Sequence, residues 1–156
     1  MRRADKEIAD RGEIDRILRK ATVCRLGLVD GAAPYIVPLS FGYDGSTLYF
    51  HSAREGKKID LLRRNPAVRF EVDVDVEPVP SGTSCGWTMR YRSVIGSGTA
   101  SFVEEPGEKS AALGIIMRQY TDGPCEFPEE TLRKIEVFKV VIGEISGKVS
   151  GFPGKG

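Results

Sequence analysis

Two adjacent lysines, Lys57 and Lys58, follow a glycine at the start of a short helical pattern. Apolar residues recur at helical spacing after Gly56, and the pattern stops before Pro66. Cations in the first turn of a helix are unfavourable by about 0.3–1 kcal/mol each, because the free N–H groups there already carry partial positive charge. An anion bound by these N–H groups, the two ammonium groups and Arg54 would remove that penalty, and phosphate is a common ligand of this kind. The alternative is a solvated basic surface on which salt screens the charges.

The residues before this helix have the pattern of strands joined by tight turns. Residues 35–43 alternate with the period of a strand, with Tyr35, Val37, Leu39, Phe41 and Tyr43 on one side, and residues 47–52 alternate again. An Asp-Gly pair at 44–45 supplies the two-residue turn between them. A further strand over 22–29 ends at a second Asp-Gly pair. The sequence therefore predicts three successive antiparallel strands in a meander, followed by the basic helix.

The rest of the chain continues as a β protein with a few helices. The predicted elements are a helix over 11–20, a strand over 67–75, a loop over 76–88, a strand over 89–103, a helix opening at 106, a short helix opening at 128 and a strand over 136–146. Five strands before the helix at 106 and one after it predict a mainly β, six-stranded antiparallel fold with flanking α-helices. We expect one domain over residues 1–150 and a flexible tail over 151–156.

Composition excludes several classes of function. The chain has 156 residues and a formal net charge of +1, so nothing favours nucleic acid or an anionic membrane surface as a partner. No apolar run approaches the ~20 residues of a membrane span, and the first residues lead into no signal-like apolar segment. The three cysteines are scattered and the single histidine is His51, which argues against a disulfide framework or a metal site. We expect a cytoplasmic protein.

Four segments, in this order and spacing, resemble the FMN-binding split-barrel family. They are VPLSFGY, LYFHSA, EGKKIDLLRRNP and RYRSVIGSGTASFVEE, and the likeness is greatest to the pyridoxamine-5′-phosphate-oxidase-like and nitroimidazole-resistance-type branch. The resemblance implies a six-stranded antiparallel split β-barrel. It also implies a homodimer that binds FMN at the subunit interface, with the FMN phosphate at Lys57 and Lys58.

Fourteen residues follow as candidate cofactor contacts. They are Val37, Pro38, Leu39, Ser40, His51, Ser52, Ala53, Gly56, Lys57, Lys58, Trp87, Arg92, Ser93 and Val94. The first four offer strand-edge backbone groups to the flavin ring, Pro38 leaves a gap in strand pairing, and the Ser40 hydroxyl can hydrogen-bond the ring. An edge-strand proline without any ligand is the alternative. The last three are carried over from the resemblance alone.

Two of these residues have competing interpretations. Trp87 is either a wall against the flavin or the partner subunit, or an aromatic lid packed over the end of the barrel. His51 titrates near pH ~6.5 when unperturbed and can therefore act as an acid or a base. We assign it a hydrogen bond to backbone or flavin, and we assign no catalytic residue and no metal ligand.

Three functions remain open from the sequence. The leading one is an FMN-dependent oxidoreductase that reduces small electrophiles, with nitroaromatic compounds as the implied class. A flavin- or haem-binding module without catalysis is the second. A pyridoxamine 5′-phosphate oxidase is the least favoured, because the arginine-rich substrate-binding end of that activity has no counterpart in EISGKVSGFPGKG. The sequence does not separate FMN from a deazaflavin.

Overall fold

The computed structural model describes residues 6–152, and an antiparallel sheet of eight strands forms its centre. The strands are β1 (Glu7–Ile8), β2 (Cys24–Asp30), β3 (Ala33–Leu39), β4 (Gly42–Tyr43), β5 (Thr47–Ala53), β6 (Ala67–Val79), β7 (Thr88–Val103) and β8 (Ile135–Ser150). Their order in the sheet is β3-β2-β6-β7-β8-β5-β4, with β1 paired to β8. Six strands are long, and β1 and β4 have two residues each. The mainly β split-barrel prediction is confirmed, with these two short strands in addition.

The core lies on the inner face of this sheet, where alternating side chains meet. On β6, Val68, Phe70 and Val72 are buried, while the residues between them face outward. The rings of Phe50 on β5 and Phe138 on β8 stack with centroids 5.0 Å apart. Burying each such apolar side chain contributes roughly 1.5–3 kcal/mol relative to leaving it exposed. The alternation of apolar and polar residues in the sequence of β6 therefore identified the buried face of that strand correctly.

Four helices cover the sheet: α1 (Arg11–Lys20), α2 (Lys57–Arg64), α3 (Pro106–Arg118) and α4 (Glu129–Lys134). The Asp10 carboxylate accepts a hydrogen bond from the Gly12 N–H at 2.9 Å and so caps α1. Glu105 caps α3 by accepting from the Glu108 N–H at 2.8 Å. A short 3₁₀ turn covers Ser84–Gly86. None of the helices within residues 6–152 is long and apolar enough to cross a membrane.

The predicted three-strand meander is wrong at one junction. β2 and β3 form the expected hairpin, but β5 pairs with β8 and β4 instead of β3. The strand predicted over 35–43 breaks at Ser40 and Phe41, where the Phe41 N–H donates to the Tyr120 hydroxyl at 2.8 Å instead of to a strand. Gly42 then passes so close to α3 that a Cβ on it would lie 2.6 Å from the backbone of Ile115. Across this break the chain passes from β3, at one end of the sheet order, to β4, at the other end.

Two strands also extend further than predicted. β6 continues to Val79 and pairs with β7, so the loop predicted over 76–88 is partly a two-stranded arm. A bulge between Val74 and Glu77, with Asp75 at φ 56°, restores the pairing. β8 continues to Ser150. In the predicted tail, the ring of Phe152 packs under Arg92, with 3.7 Å between the guanidinium carbon and the ring centroid. Residues 153–156 of that tail lie outside the described residues.

Candidate functional site

The first turn of α2 presents unpaired backbone N–H groups beside a glycine. Gly56 precedes the helix at φ 127°, a conformation that favours glycine, and no side chain caps the helix. The Ile59 and Asp60 N–H groups both donate to the Gly56 carbonyl, at 2.9 and 3.2 Å. The N–H groups of Lys57 and Lys58 have no acceptor within the helix. A Cβ at Gly56 would meet nothing within 4 Å, so this end of the helix is open.

The Lys57 side chain turns toward the β2–β3 hairpin. Its Nζ lies 2.6 Å from a carboxylate oxygen of Asp30, the last residue of β2. It also lies 5.0 Å from the centroid of the Tyr35 ring on β3. An ion pair and a cation–π contact therefore hold the same ammonium group. In this arrangement Lys57 joins the start of α2 to the hairpin.

Lys58 is half-buried and lies on the side of β5. No carboxylate within residues 6–152 pairs with it, and burial lowers its pKa from the ordinary lysine value. His51 on β5 feels this charge: the ring is exposed on its strand, yet surrounding protein lowers its pKa and the Lys58 ammonium lowers it further. Both effects favour the neutral form of His51. A half-buried cation without a counter-ion at the start of a helix is a favourable place for an anion.

The strand residues of the candidate site divide by face. Val37 and Leu39 pack against the core, while Pro38 and Ser40 are exposed. Among the strands within residues 6–152, β3 ends the sheet order and pairs with β2 alone, so its other edge offers backbone groups for a ligand. Ser52 and Ala53 at the end of β5 pair with the first residues of β8. An exposed strand edge with an exposed hydroxyl has the donors and acceptors that a heteroaromatic ring requires.

The remaining predicted contacts lie elsewhere in the chain. Trp87 is exposed at the end of the β6–β7 arm. Arg92 pairs with Asp75 at 2.7 Å and stacks on Phe152. Ser93 and Val94 are buried. The side chain of Val94 belongs to the hydrophobic core. Within one chain, neither Ser93 nor Val94 is therefore available at the surface for a ligand.

An apolar concavity of about 880 Å³ crosses the outer face of the sheet. Its side chains include exposed Val29 and Val141, together with Ile36, which is 63% exposed. Small residues such as Gly27 and Ala33 form its floor and edge. Val141 lies on β8, and sequence reasoning missed the surface that it forms with residues of β2 and β3. The sequence pattern that indicates this surface is the combination of small and apolar residues at outward-facing strand positions.

Sequence reasoning also missed a buried charge that fastens α2 to the barrel. Glu136 on β8 pairs with Arg63 at the end of α2, at 3.2 Å, and with Lys109 of α3, at 3.8 Å. The Lys109 ammonium also donates to the Ile135 carbonyl at 3.3 Å. Alternation predicted Glu136 only as part of a strand. Its partners come from distant segments, so no local pattern identifies them.

Comparison with known proteins assigns the chain to a family. The family model described as pyridoxamine 5′-phosphate oxidase matches residues 10–149, so the chain belongs to that family. This confirms the resemblance drawn from the four sequence segments.

Solved structures agree with this assignment. A protein of Bacteroides thetaiotaomicron, named for a suggested role in 5-nitroimidazole antibiotic resistance, is 37% identical, with a TM-score of 0.83 over 92% of this chain and 86% of that one. An FAD and haem binding protein of Mycobacterium smegmatis is 22% identical, with a TM-score of 0.85 over 97% of this chain and 77% of that one, and shares the fold. An uncharacterised protein of Rhizobium meliloti is 32% identical over 65 residues. The matched region is 42% of each chain, so this chain spans under half of that curated relative.

Proposed function

We propose that the chain is a flavoprotein that binds FMN, with the phosphate at the start of α2. The observation that carries the proposal is the half-buried Lys58, which has no carboxylate partner within residues 6–152 and adjoins two free helix N–H groups. These donors fit a phosphate dianion. The exposed edge of β3 at Pro38 and Ser40 supplies backbone and hydroxyl groups for the ring. Membership of the family supports the assignment.

The proposal includes a homodimer with the cofactor at the subunit interface. The concave face with Val29, Ile36 and Val141 is an exposed apolar surface of the kind that marks an interaction site, and a second copy is the partner that we assign. Trp87 is exposed and Arg92 pairs with Asp75 in one chain, and a second copy can supply such residues to the site. Sedimentation at micromolar concentration should give about twice the 17.1 kDa of the chain. A 17.1 kDa species alone, with FMN present, would contradict the dimer.

We assign the reduction of small electrophilic compounds, including nitroaromatic ones, as the reaction. The 37% identical protein named for 5-nitroimidazole resistance supports this substrate class. Bound FMN would supply the electron transfer, and the protein would bind, orient and shield the ring. Neutral His51 lies beside Lys58 and can hydrogen-bond the cofactor without carrying a charge. No residue is assigned as a catalytic acid or base.

An FMN-binding module without turnover is the alternative, and a redox assay separates the two. Purified protein with FMN should oxidise a reduced nicotinamide donor faster when a 5-nitroimidazole is added. The Lys58→Ala variant should lose most of this increment at low FMN concentration. Lys134→Ala, which removes an exposed lysine of α4, should keep it. Tight FMN binding with no increment for any nitroaromatic substrate would favour the module.

A further inference from the structure

The two lysines at the start of α2 have different surroundings. Consecutive helix residues point about 100° apart, so their side chains do not face each other. Lys57 contacts the hairpin residues Asp30 and Tyr35. Lys58 lies toward His51 and has no carboxylate partner within the described part of the chain. The sequence pattern treats the two cations as equivalent, whereas the structure does not.

We propose that, of the two lysines, Lys58 supplies the side-chain charge that binds the flavin phosphate, whereas Lys57, Asp30 and Tyr35 form a tether that positions the first turn of α2. This inference rests on the proposed function. The tether joins the helix start to the hairpin whose second strand, β3, carries Pro38 and Ser40. It thereby sets the distance between the phosphate end and the ring end of the candidate site. Lys57 is a positioning residue in this account, and Asp30 is its counter-ion.

The proposal predicts distinct effects on two flavins that differ only in the phosphate. Lys58→Ala should weaken FMN binding about tenfold or more and leave riboflavin within about twofold, since it removes a charge-assisted contact to phosphate. Lys57→Ala and Asp30→Asn should each weaken FMN and riboflavin by the same factor, because a displaced helix start affects both ligands. The double variant should be no weaker than either single one.

Two outcomes would overturn the division of roles. One is a selective loss of FMN affinity in Lys57→Ala, and the other is a selective gain in Asp30→Asn, which would show that a released Lys57 binds phosphate. Wild-type protein that binds FMN and riboflavin equally would contradict the proposed function itself. These results are distinguishable in one set of titrations.

A measurement without flavin tests the same geometry. The chain contains one histidine, so NMR titration of His51 follows a single ring signal. Lys58→Ala should raise the pKa of His51, because it removes the cation that lowers it. Lys57→Ala should leave that pKa unchanged. An equal rise in both variants would place the two ammonium groups on the same side and overturn the proposal.

Discussion

Replacing Glu136 with alanine should leave a buried positive charge without its counter-ion. The Glu136 side chain is 9% exposed, and it pairs with Lys109, which is 12% exposed, and with Arg63, which is more than half exposed. In the variant, Arg63 can turn to water, whereas the Lys109 ammonium keeps only its 3.3 Å hydrogen bond to the Ile135 carbonyl. The cost therefore comes chiefly from one desolvated ammonium group.

The magnitude follows from the burial of that group. Breaking a buried ion pair by removing one partner costs about 3–5 kcal/mol. Since Lys109 keeps one acceptor and Arg63 is solvated, we expect a cost at or just below the lower end of that range, about 2–3 kcal/mol. Removing the ammonium group as well, in Glu136→Ala with Lys109→Met, should recover part of the loss because no charge then remains buried.

Urea unfolding at one fixed protein concentration measures the difference in the free energy of unfolding. Glu129→Ala is the matched control, because its carboxylate pairs with Arg133 at 2.8 Å on the surface of α4. That variant should change stability by less than about 0.5 kcal/mol. Equal midpoints for the Glu136 and Glu129 variants would refute the reasoning. A double variant less stable than Glu136→Ala would show that the unpaired Lys109 ammonium is not the cause of the lost stability.

Three further predictions test other parts of the fold. Gly96→Ala should destabilise by about 1–3 kcal/mol in urea unfolding, because a Cβ there would lie 2.3 Å from the Phe70 ring; a change under 0.5 kcal/mol would contradict this packing. Tyr120→Phe should cost about 1–2 kcal/mol, since the buried Phe41 N–H loses its 2.8 Å acceptor; an unchanged midpoint would show another partner. The Lys20 ammonium and the Arg92 guanidinium lower the pKa of Asp75. Their pairing with Asp75 therefore stabilises the fold above the ordinary aspartate pKa, and this stabilisation is lost as the pH falls through the lowered pKa. Asp75→Asn should make the free energy of unfolding less dependent on pH below pH ~4, by under about 1 kcal/mol, and an unchanged pH dependence would refute that role.

The elements set by local pattern were predictable, and the ones set by distant contacts were not. Alternation located β6 because one face of that strand is buried. It failed at Phe41, because the strand ends there through a bond to Tyr120, which lies far along the chain. The sequence of the β6–β7 arm predicts a loop, because prolines and glycines mark loops. The left-handed Asp75 bulge, which lets pairing resume, has no comparable sequence signal.

The candidate site divides in the same way. Gly56, Lys57 and Lys58 are adjacent in sequence, so the sequence alone was enough to make them a candidate anion site, with a solvated basic surface as the alternative. The pairing of Lys57 with Asp30 depends on where the β2–β3 hairpin ends relative to α2, which only the folded chain determines. The apolar face on β2, β3 and β8 likewise requires knowledge of the strand order.

The most direct test of the central claim is the difference between FMN and riboflavin affinity in the wild-type chain and in Lys58→Ala. Isothermal titration should show that wild type binds FMN at least about tenfold more tightly than riboflavin, since the phosphate gains charge-assisted contacts at the start of α2. In Lys58→Ala that preference should largely disappear through the loss of FMN affinity alone. An FMN preference that persists at full size in the variant would place the phosphate elsewhere and contradict the account.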